Sequence, residues 1–321
     1  MRTGYLPVKR GVLFGVAISA ALTLAACGSS AGSTPSGGGS SNPLAGGGAS
    51  KGTVVVGSAN FPENEVLAEI YSLALQAKGI KVTDKFNIGA REVYYPQVAK
   101  GAITIMPEYN GALLTTSVTK TSTAVTTADV DAALASGLPS SLEVLNPASA
   151  EDADSVTVTQ AFAKAHHLTS IADLASVAKT MVFGAAAEFE TRPDGLPGLK
   201  KNYGLTFKSF DALGDESGPI TLAALMDNKV QAADVFTTTP QIATDHLVAL
   251  TDPKNNFAAQ NVIPLVYKAG VNSTITTTLN LISSKLTTAA LISLNQAVGP
   301  NKESYQAAAT AWLKSVGIPS S

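Results

Sequence analysis

The stretch that decides the fold runs from Thr53 to Met106 and reads TVVVGSANFPENEVLAEIYSLALQAKGIKVTDKFNIGAREVYYPQVAKGAITIM. It alternates short apolar runs, rich in β-branched residues, with segments whose apolar residues recur at a helical spacing. This pattern predicts strands at 54–56, 80–88 and 103–106 and helices at 63–78 and 91–100. Strand, helix, strand, helix and strand in this order predict a parallel, doubly wound sheet with helices on its faces.

The same alternation resumes in the second half of the chain. Further strands are predicted at 156–159, 181–183, 207–210 and 230–236, and helices at 161–166, 171–178, 220–227, 281–298 and 302–316. The chain has 321 residues, of which 45% are hydrophobic. That is enough apolar material for one large domain or two medium ones.

The N-terminus has the pattern of a bacterial targeting segment. Three basic residues precede an apolar stretch from Gly11 to Ala26, which is short for a membrane span. The stretch ends with small residues before Cys27, which resembles a lipobox; an ordinary signal peptide with a chance cysteine is the alternative. We therefore expect a signal peptide at 1–26, lipid attachment at Cys27 and a Gly/Ser-rich flexible tether over 27–51.

Composition and motifs exclude several classes of function. The formal net charge of −2 and the absence of a basic face argue against nucleic-acid binding. The three histidines, His166, His167 and His246, form no zinc-protease pattern, and no nucleophile elbow or phosphate-binding loop occurs. The sequence therefore predicts no catalytic residues, no metal site and no cofactor.

Polar and aromatic residues cluster instead where the predicted strands end. Asn60 and Phe61 follow the first strand, and Glu108, Tyr109 and Asn110 follow the third. In the second half of the chain the corresponding residues are Glu188 and Arg192, and the three threonines at 237–239. Because ligands gather outside the carboxyl ends of strands in open parallel sheets, a cleft between two such sheets would carry all of these groups.

Five motifs, in order and at family-like spacing, carry a resemblance to a known family. They are GSANF at 57–61, GAREV at 89–93, PEYNG at 107–111, RPDGLPGLK at 192–200 with Tyr203-Gly204, and QNVIP at 260–264. From about Thr53 to Lys268 the chain resembles the glycine betaine/carnitine/choline-type substrate-binding proteins of ABC osmoprotectant importers. The resemblance implies a two-lobed α/β periplasmic-binding-protein fold, each lobe a mostly parallel sheet flanked by helices, with two hinge crossings. It places one lobe at 52–152 and 257–321 and the other at 153–256.

The resemblance also implies roles for individual residues. Tyr109 matches a tyrosine of the aromatic cage that holds the cation, and a buried structural tyrosine is the alternative. Arg192 matches an arginine that binds the ligand carboxylate, and the alternative is an interlobe ion pair with Glu188 or Glu190. Phe236 lies about where a later aromatic of the family's cage falls, and packing in the core is the alternative. The full predicted ligand-binding set is Asn60, Phe61, Tyr109, Asn110, Arg192, Phe236, Thr237 and Gln260. A trimethylammonium has no hydrogen-bond donor, so aromatic faces suit it, and a carboxylate suits a bidentate arginine.

Several positions depart from the family pattern. Ala59 stands where a lysine is common, Asn110-Gly111-Ala112 replaces Thr-Gly-Thr, Gln260 replaces a tyrosine, and Thr238-Thr239 replaces Thr-Asp. The aromatic cage is thinner, so the expected ligand is glycine betaine, another betaine, choline, carnitine or a more polar solute.

The expected function is a non-enzymatic receptor, lipid-anchored on the extracytoplasmic face of the cell membrane, that serves an ABC permease and its ATPase. The alternatives are a lipid-anchored extracellular enzyme on a similar scaffold and an orphan sensor or adhesin without a transporter.

Overall fold

A computed structural model of the chain describes residues 52–321. Cys27, the predicted signal peptide and the predicted tether lie outside the described residues. Within 52–321 the chain forms two five-stranded sheets flanked by helices. This is the two-lobed α/β fold that the sequence predicts.

The strands in residues 52–321 are β1 (Thr53–Gly57), β2 (Lys81–Lys85), β3 (Ile105–Tyr109), β4 (Leu142–Val144), β5 (Val156–Thr159), β6 (Val182–Ala185), β7 (Ser209–Ala212), β8 (Ala232–Asp234), β9 (Leu247–Ala249) and β10 (Val262–Tyr267). The α-helices of the same part are α1 (Pro62–Gln76), α2 (Arg91–Ala99), α3 (Asn110–Leu113), α4 (Thr127–Gly137), α5 (Gln160–His166), α6 (Leu196–Tyr203), α7 (Pro219–Met226), α8 (Gln241–Thr244), α9 (Ser273–Lys285), α10 (Thr288–Val298) and α11 (Tyr305–Ser315). A π-helical segment occupies Leu114–Val118, and 3₁₀ segments occupy Ile171–Ser176, Ala178–Thr180, Ala187–Glu190 and Lys268–Gly270.

Both sheets are mostly parallel, with one strand reversed. The first has the order β2-β1-β3-β10-β4, and the second has the order β7-β6-β8-β5-β9. In the first sheet β10 runs against the other four strands, and in the second β5 does. Each reversed strand follows a segment where the chain passes between the sheets, at 145–155 and at 250–261. These two passages correspond to the predicted hinge crossings, whereas the lobe boundaries given above stay a prediction.

Burial in the first lobe follows the apolar pattern of the sequence. Val54, Val55 and Val56 of β1 are all buried, which is typical of a strand covered on both faces. Helix α1 begins with Pro62 in its first turn and packs against α9, α10 and α11. None of the helices that the structure describes between residues 52 and 321 is long and apolar enough to cross a membrane.

Three predicted elements differ from the structure. The helix predicted at 281–298 is two helices, because Thr287 caps α10 by accepting a hydrogen bond at Oγ1 from the backbone N–H of Ala290 at 3.2 Å. The segment predicted as a helix at 171–178 forms 3₁₀ turns. The third strand lies two residues later than predicted, since its pairing with β10 extends to Tyr109 opposite Val262.

Candidate functional site

Three aromatic rings meet in the cleft between the two lobes. Phe61 follows β1, Tyr109 ends β3, and Phe236 follows β8 of the second sheet. The Phe61 and Phe236 rings pack edge to face with centroids 5.4 Å apart, and the Phe61 and Tyr109 centroids are 6.1 Å apart. Because the rings come from both sheets, the ends of the strands bring these aromatic faces to one point.

A cavity beside these rings, here called the small cleft cavity, gathers five of the eight predicted ligand-binding residues. Those five are Phe61, Tyr109, Arg192, Phe236 and Gln260. The rest of its wall is formed by Ala59, Arg91, Tyr94, Ala112, Asp152, Asp154 and Glu216. Its volume is about 30 Å³. That volume holds on the order of one water, so the lobes must move apart before a larger ligand can enter here.

The other three predicted residues do not line this cavity. Asn110 is fully buried, and its amide bonds to Asp131 and to the backbone N–H groups of Gly111 and Asn261. The Thr237 hydroxyl accepts a hydrogen bond from the backbone N–H of Ala153, in the first hinge crossing.

Asn60 follows β1, and its Oδ1 is buried without a hydrogen-bond partner among residues 52–321. Asn110 and Thr237 therefore hold the backbone at the edge of the cleft in place, and the Oδ1 atom of Asn60 stays free to accept a hydrogen bond.

Arg192 forms the interlobe ion pair that the sequence left open, but with a different partner. Its Nε and Nη2 donate to the two carboxylate oxygens of Glu92 on α2, both at 3.1 Å. The candidate partners Glu188 and Glu190 are therefore corrected to Glu92, 100 positions away in the sequence. Burial alone would raise the pKa of Glu92, but the guanidinium fork outweighs it and lowers that pKa.

A second arginine, Arg91 in the wall of the small cleft cavity, already has its hydrogen-bond partners within the protein. The Arg91 Nε and Nη2 atoms lie 3.0 Å from the Glu108 carboxylate, whose side chain is completely buried. The same carboxylate also accepts hydrogen bonds from the Tyr94 hydroxyl at 2.7 Å and the Tyr109 backbone N–H at 3.0 Å. This network fixes the backbone of Tyr109, and it leaves Arg91 little capacity for a ligand carboxylate.

A larger cavity also borders the Phe61–Phe236 pair and is here called the large cleft cavity. Its volume is about 210 Å³, and it shares Phe61, Asp152, Glu216 and Phe236 with the small cleft cavity. The remaining wall consists of Pro62, Glu63, Ser217, Gly218, Pro219, Leu222, Thr238, Thr239, Pro240, Gln241, Asn295, Gly299, Pro300 and Lys302. Both lobes contribute, so closing or opening the cleft changes its size.

A buried carboxyl pair, Glu63 and Asp152, lines the large cleft cavity, and Asp152 also lines the small one. Glu63 is 3% exposed and accepts hydrogen bonds from the Tyr109 hydroxyl at 2.7 Å, from Thr238 Oγ1 at 2.6 Å and from Asn295 Nδ2 at 2.6 Å. Asp152 is 4% exposed and accepts from the Thr238 backbone N–H at 2.9 Å. Burial first, and the nearby Glu63 carboxyl second, raise the pKa of Asp152 well above its usual value. Asp152 therefore favours either its protonated form or a neighbouring cation.

Further carboxyls surround the hinge. The Asp154 carboxylate accepts from Gln260 Nε2 at 2.6 Å, and the Asp194 carboxylate accepts from Thr115 Oγ1 at 2.8 Å across the cleft. Burial and the charge of Asp154 raise the pKa of both Asp194 and Asp234. The cleft is thus more acidic than the sequence pattern predicted. The sequence signal for this acidity is the stretch EDAD at Glu151–Asp154, which lies within the first crossing.

The loop before α7 holds Phe236 in place under backbone strain. Glu216 and Ser217 adopt φ angles of 40° and 70°, in the left-handed region that non-glycine residues rarely occupy. Such residues cost on the order of 1–3 kcal/mol each and persist where the surroundings impose them. Here the Ser217 Oγ accepts from the backbone N–H of Phe236 at 2.7 Å, and the Glu216 carboxyl reaches both cavities.

The arrangement is suited to holding a small ligand. It offers aromatic faces, carboxylates and one guanidinium that can exchange partners. Among residues 52–321, no group of three or more His, Cys, Asp or Glu side chains is placed to hold a metal ion.

Comparisons with known proteins agree with this geometry. The family described as the substrate-binding domain of ABC-type glycine betaine transport systems matches residues 52–315. Glycine betaine-binding protein YehZ of Escherichia coli is 30% identical over 211 residues, which are 63% of this chain and 69% of that protein.

Two further similarities bear on the length and the fold. The ergothioneine transport permease/ergothioneine binding protein EgtU of Helicobacter pylori is 25% identical over 271 residues, 83% of this chain and 48% of that protein. The crystal structure of a glycine betaine/carnitine/choline ABC transporter superposes with a TM-score of 0.63 at 21% identity, covering 83% of this chain and 99% of that one. Since the family match spans both sheets, the chain belongs to the substrate-binding family of ABC-type glycine betaine transport systems.

Proposed function

We propose that this protein captures a quaternary amine of the betaine type in its interlobe cleft and delivers it to an ABC permease and its ATPase. The observation that carries the proposal is the meeting of Phe61, Tyr109 and Phe236 from both lobes at one cavity. Aromatic faces attract a diffuse cation that has no hydrogen-bond donor. The similarity to YehZ, which is named a glycine betaine-binding protein, supports the same ligand class.

In this proposal different predicted site residues bind the two ends of the ligand. Phe61, Tyr109 and Phe236 face the trimethylammonium group, while Arg192 receives the carboxylate after releasing Glu92. Gln260 stays bonded to Asp154 and forms the polar wall of the small cleft cavity. Asn110 and Thr237 position these groups from the cleft edge, and Asn60 contributes its free Oδ1 acceptor. The lobes are 52–152 with 257–321, and 153–256, and they open by a hinge at the two crossings.

A second candidate ligand is a cation without a carboxylate, such as choline. The observation that favours it is the Arg192–Glu92 fork, which already satisfies the guanidinium at both contacts. A ligand carboxylate has to displace Glu92, whereas choline leaves that pair intact. The two ligands therefore differ in what they require of Arg192.

We further propose that the protein acts as a lipid-anchored receptor and not as an enzyme. The lipobox-like residues before Cys27 and the Gly/Ser-rich 27–51 segment support an anchor on the extracytoplasmic face of the cell membrane. The family to which the chain belongs is one of solute-binding proteins. Recovery of the bound solute unchanged after incubation supports a receptor, and turnover of that solute would contradict it.

Calorimetric titration of the full chain with glycine betaine, choline, carnitine and proline tests the ligand class. We expect binding of at least one quaternary amine and none of proline at matched concentration. Phe236→Ala should weaken that binding roughly five- to thirtyfold, which corresponds to about 1–2 kcal/mol of lost cation–π attraction. Phe162→Ala is the matched control, because Phe162 packs on His166 outside the cleft. Equal binding by Phe236→Ala and wild type would refute the placement of the cage.

A further inference from the structure

The large cleft cavity offers more room than glycine betaine needs. Its volume is about 210 Å³, against about 30 Å³ for the small cleft cavity, where the proposed function places the trimethylammonium and the carboxylate. An apolar cavity of about 150 Å³ admits a benzene-sized molecule. Glycine betaine has a single methylene between its two charged groups and nothing further to place beside them. The large cleft cavity can therefore hold an additional group about the size of one flat ring.

The two cavities have part of their walls in common. Phe61 and Phe236 line both of them, and so do Asp152 and Glu216. A ligand whose charged groups lie in the small cleft cavity is therefore adjacent to the large one. A short arm on the carbon atom that bears both charged groups can extend from the first cavity into the second.

Much of the wall of the large cleft cavity is apolar and has a fixed shape. Leu222 lies in it with the two phenylalanine rings. The wall also contains prolines, whose φ angles are locked by their rings, at Pro62, Pro219, Pro240 and Pro300. Glu216 and Ser217, which hold the strained φ angles of 40° and 70°, complete this side. A preformed apolar wall suits a flat, rigid ring, because little conformational freedom is lost on binding.

The same cavity presents a hydrogen-bond acceptor that has no donor. Asn295 lines the cavity, and its Nδ2 donates to Glu63 at 2.6 Å and to Thr238 Oγ1 at 3.0 Å. These bonds fix the orientation of the amide. Its Oδ1 atom is then buried without a hydrogen-bond partner among residues 52–321. Because an unpaired buried acceptor is unfavourable, a ligand N–H that reaches it is favoured.

Resting on the proposed function, we propose that the protein binds betaines that carry a third arm, a flat heteroaromatic ring with an N–H donor, and that the large cleft cavity receives this arm. The ring lies against the apolar wall, and its N–H donates to Asn295 Oδ1. The trimethylammonium and the carboxylate remain at the small cleft cavity. The ligand class is then a heteroaromatic amino-acid betaine, of which histidine betaine is a compact example.

The charges in the wall restrict the arm further. Glu63, Asp152 and Glu216 line the large cleft cavity, and the one cationic side chain in its described wall, Lys302, is exposed to solvent. An anionic arm is therefore disfavoured, whereas a neutral ring is not. The imidazole of histidine betaine is neutral at pH 8, because the ordinary pKa of this ring is about 6.5.

Calorimetric titration of the full chain at pH 8 tests the arm with matched ligands: glycine betaine, histidine betaine and the betaine of 2-furylalanine. The furan is a five-membered ring of similar size that has no N–H donor. Wild type should bind histidine betaine about tenfold or more tightly than glycine betaine. It should bind the furan compound at least about threefold less tightly than histidine betaine, because Asn295 Oδ1 then stays without a donor.

A substitution at the rim tests whether the arm occupies this cavity. Thr239 lines the large cleft cavity and is partly exposed, so Thr239→Trp narrows the cavity without placing a new side chain in the core. It should lower the affinity for histidine betaine about tenfold or more and change that for glycine betaine less than about threefold. Thr244→Trp, on the exposed side of α8, is the matched control and should leave both affinities within about twofold of wild type.

The outcomes separate this inference from the proposed function. A gain for histidine betaine that Thr239→Trp removes and Thr244→Trp keeps supports the site, and a weaker furan compound supports the N–H contact. A wild-type chain that binds glycine betaine or choline but binds histidine betaine no more tightly overturns the site and leaves the function standing. Retention of the full gain in Thr239→Trp also overturns the site. A chain that binds none of these quaternary amines overturns both.

Discussion

The Glu108→Gln substitution should destabilise the protein strongly, because it leaves the Arg91 guanidinium buried without a counter-charge. Glu108 is completely buried, and its carboxylate receives Arg91 Nε and Nη2, the Tyr94 hydroxyl and the Tyr109 N–H. Removing one partner of such a pair costs about 3–5 kcal/mol. This is a large share of the roughly 5–15 kcal/mol by which folded domains are stable.

Urea unfolding measures this cost directly. Trp312 is the single tryptophan of the sequence and is buried in α11, so its fluorescence reports on the first lobe. With a slope of about 3 kcal/mol per molar urea, the loss moves the midpoint down by about 1–1.7 M. Asp227→Asn is the matched control. It breaks the exposed Lys229–Asp227 pair, which is worth at most about 1 kcal/mol.

The partner substitution tests the same buried pair from its other side. Arg91→Met leaves the Glu108 carboxylate buried without its counter-charge, so it should also lower the urea midpoint by about 1 M or more. A midpoint shift below 0.3 M for Glu108→Gln or for Arg91→Met would refute the reasoning.

Four further outcomes are expected. Glu92→Gln should raise the affinity for glycine betaine about three- to tenfold, because Arg192 no longer has to release a partner, and leave choline binding unchanged in calorimetry. Ligand-free protein should unfold at a higher urea concentration at pH 5 than at pH 7.5. The reason is that a carboxyl whose pKa is raised in the folded state contributes stability that is lost as the pH rises through that pKa. Saturating choline should narrow the difference between the two pH values. The carboxyls concerned are Asp152, Asp194, Glu216 and Asp234. X-ray scattering should give a smaller radius of gyration with saturating ligand, and an identical profile would contradict hinge closure. Cys27→Ala should release the protein from membranes without changing its urea midpoint, and unchanged membrane retention would contradict the anchor.

The sequence predicts most of the fold because its long elements carry clear periodicity. The β1–α1–β2–α2–β3 order is confirmed, and so are the two sheets and the crossings between them. The misses have local physical causes. β4 and β9 have three residues each, too few for a periodic pattern to be recognised. The prediction also lacked helix α4 and strand β10, whose Pro264 argues against a strand by sequence alone. The break between α9 and α10 depends on one capping hydroxyl, that of Thr287, inside a continuous apolar pattern.

The site was less predictable because it forms only when distant segments meet. Phe61 and Tyr109 follow strand ends and lie together with Phe236 in one cleft, because that rule depends on local position, while their role in ligand binding stays a prediction. The partner of Arg192 was sought nearby at Glu188 and Glu190, but the structure pairs it with Glu92 on the other lobe. Glu63 at a helix start suggests only favourable interaction with the helix dipole, and nothing in the sequence reveals that it contacts the second lobe.

That contact gives Glu63 two roles that support each other. One oxygen receives Thr238 from the second lobe and Asn295 from the first, so it links the lobes. The other oxygen accepts a hydrogen bond from the Tyr109 hydroxyl, so a cation bound against the Tyr109 ring is also attracted to the Glu63 carboxylate. Glu63 keeps its bonds to both lobes only when the lobes are together, so ligand charge and lobe closure reinforce one another at a single residue. A neutral solute of the same shape would fill the same space but would not supply this charge, so it would close the cleft less completely. Scattering with 3,3-dimethylbutan-1-ol, the uncharged carbon analogue of choline, should therefore show less compaction than scattering with choline at equal occupancy, and equal compaction would mean that shape alone drives closure.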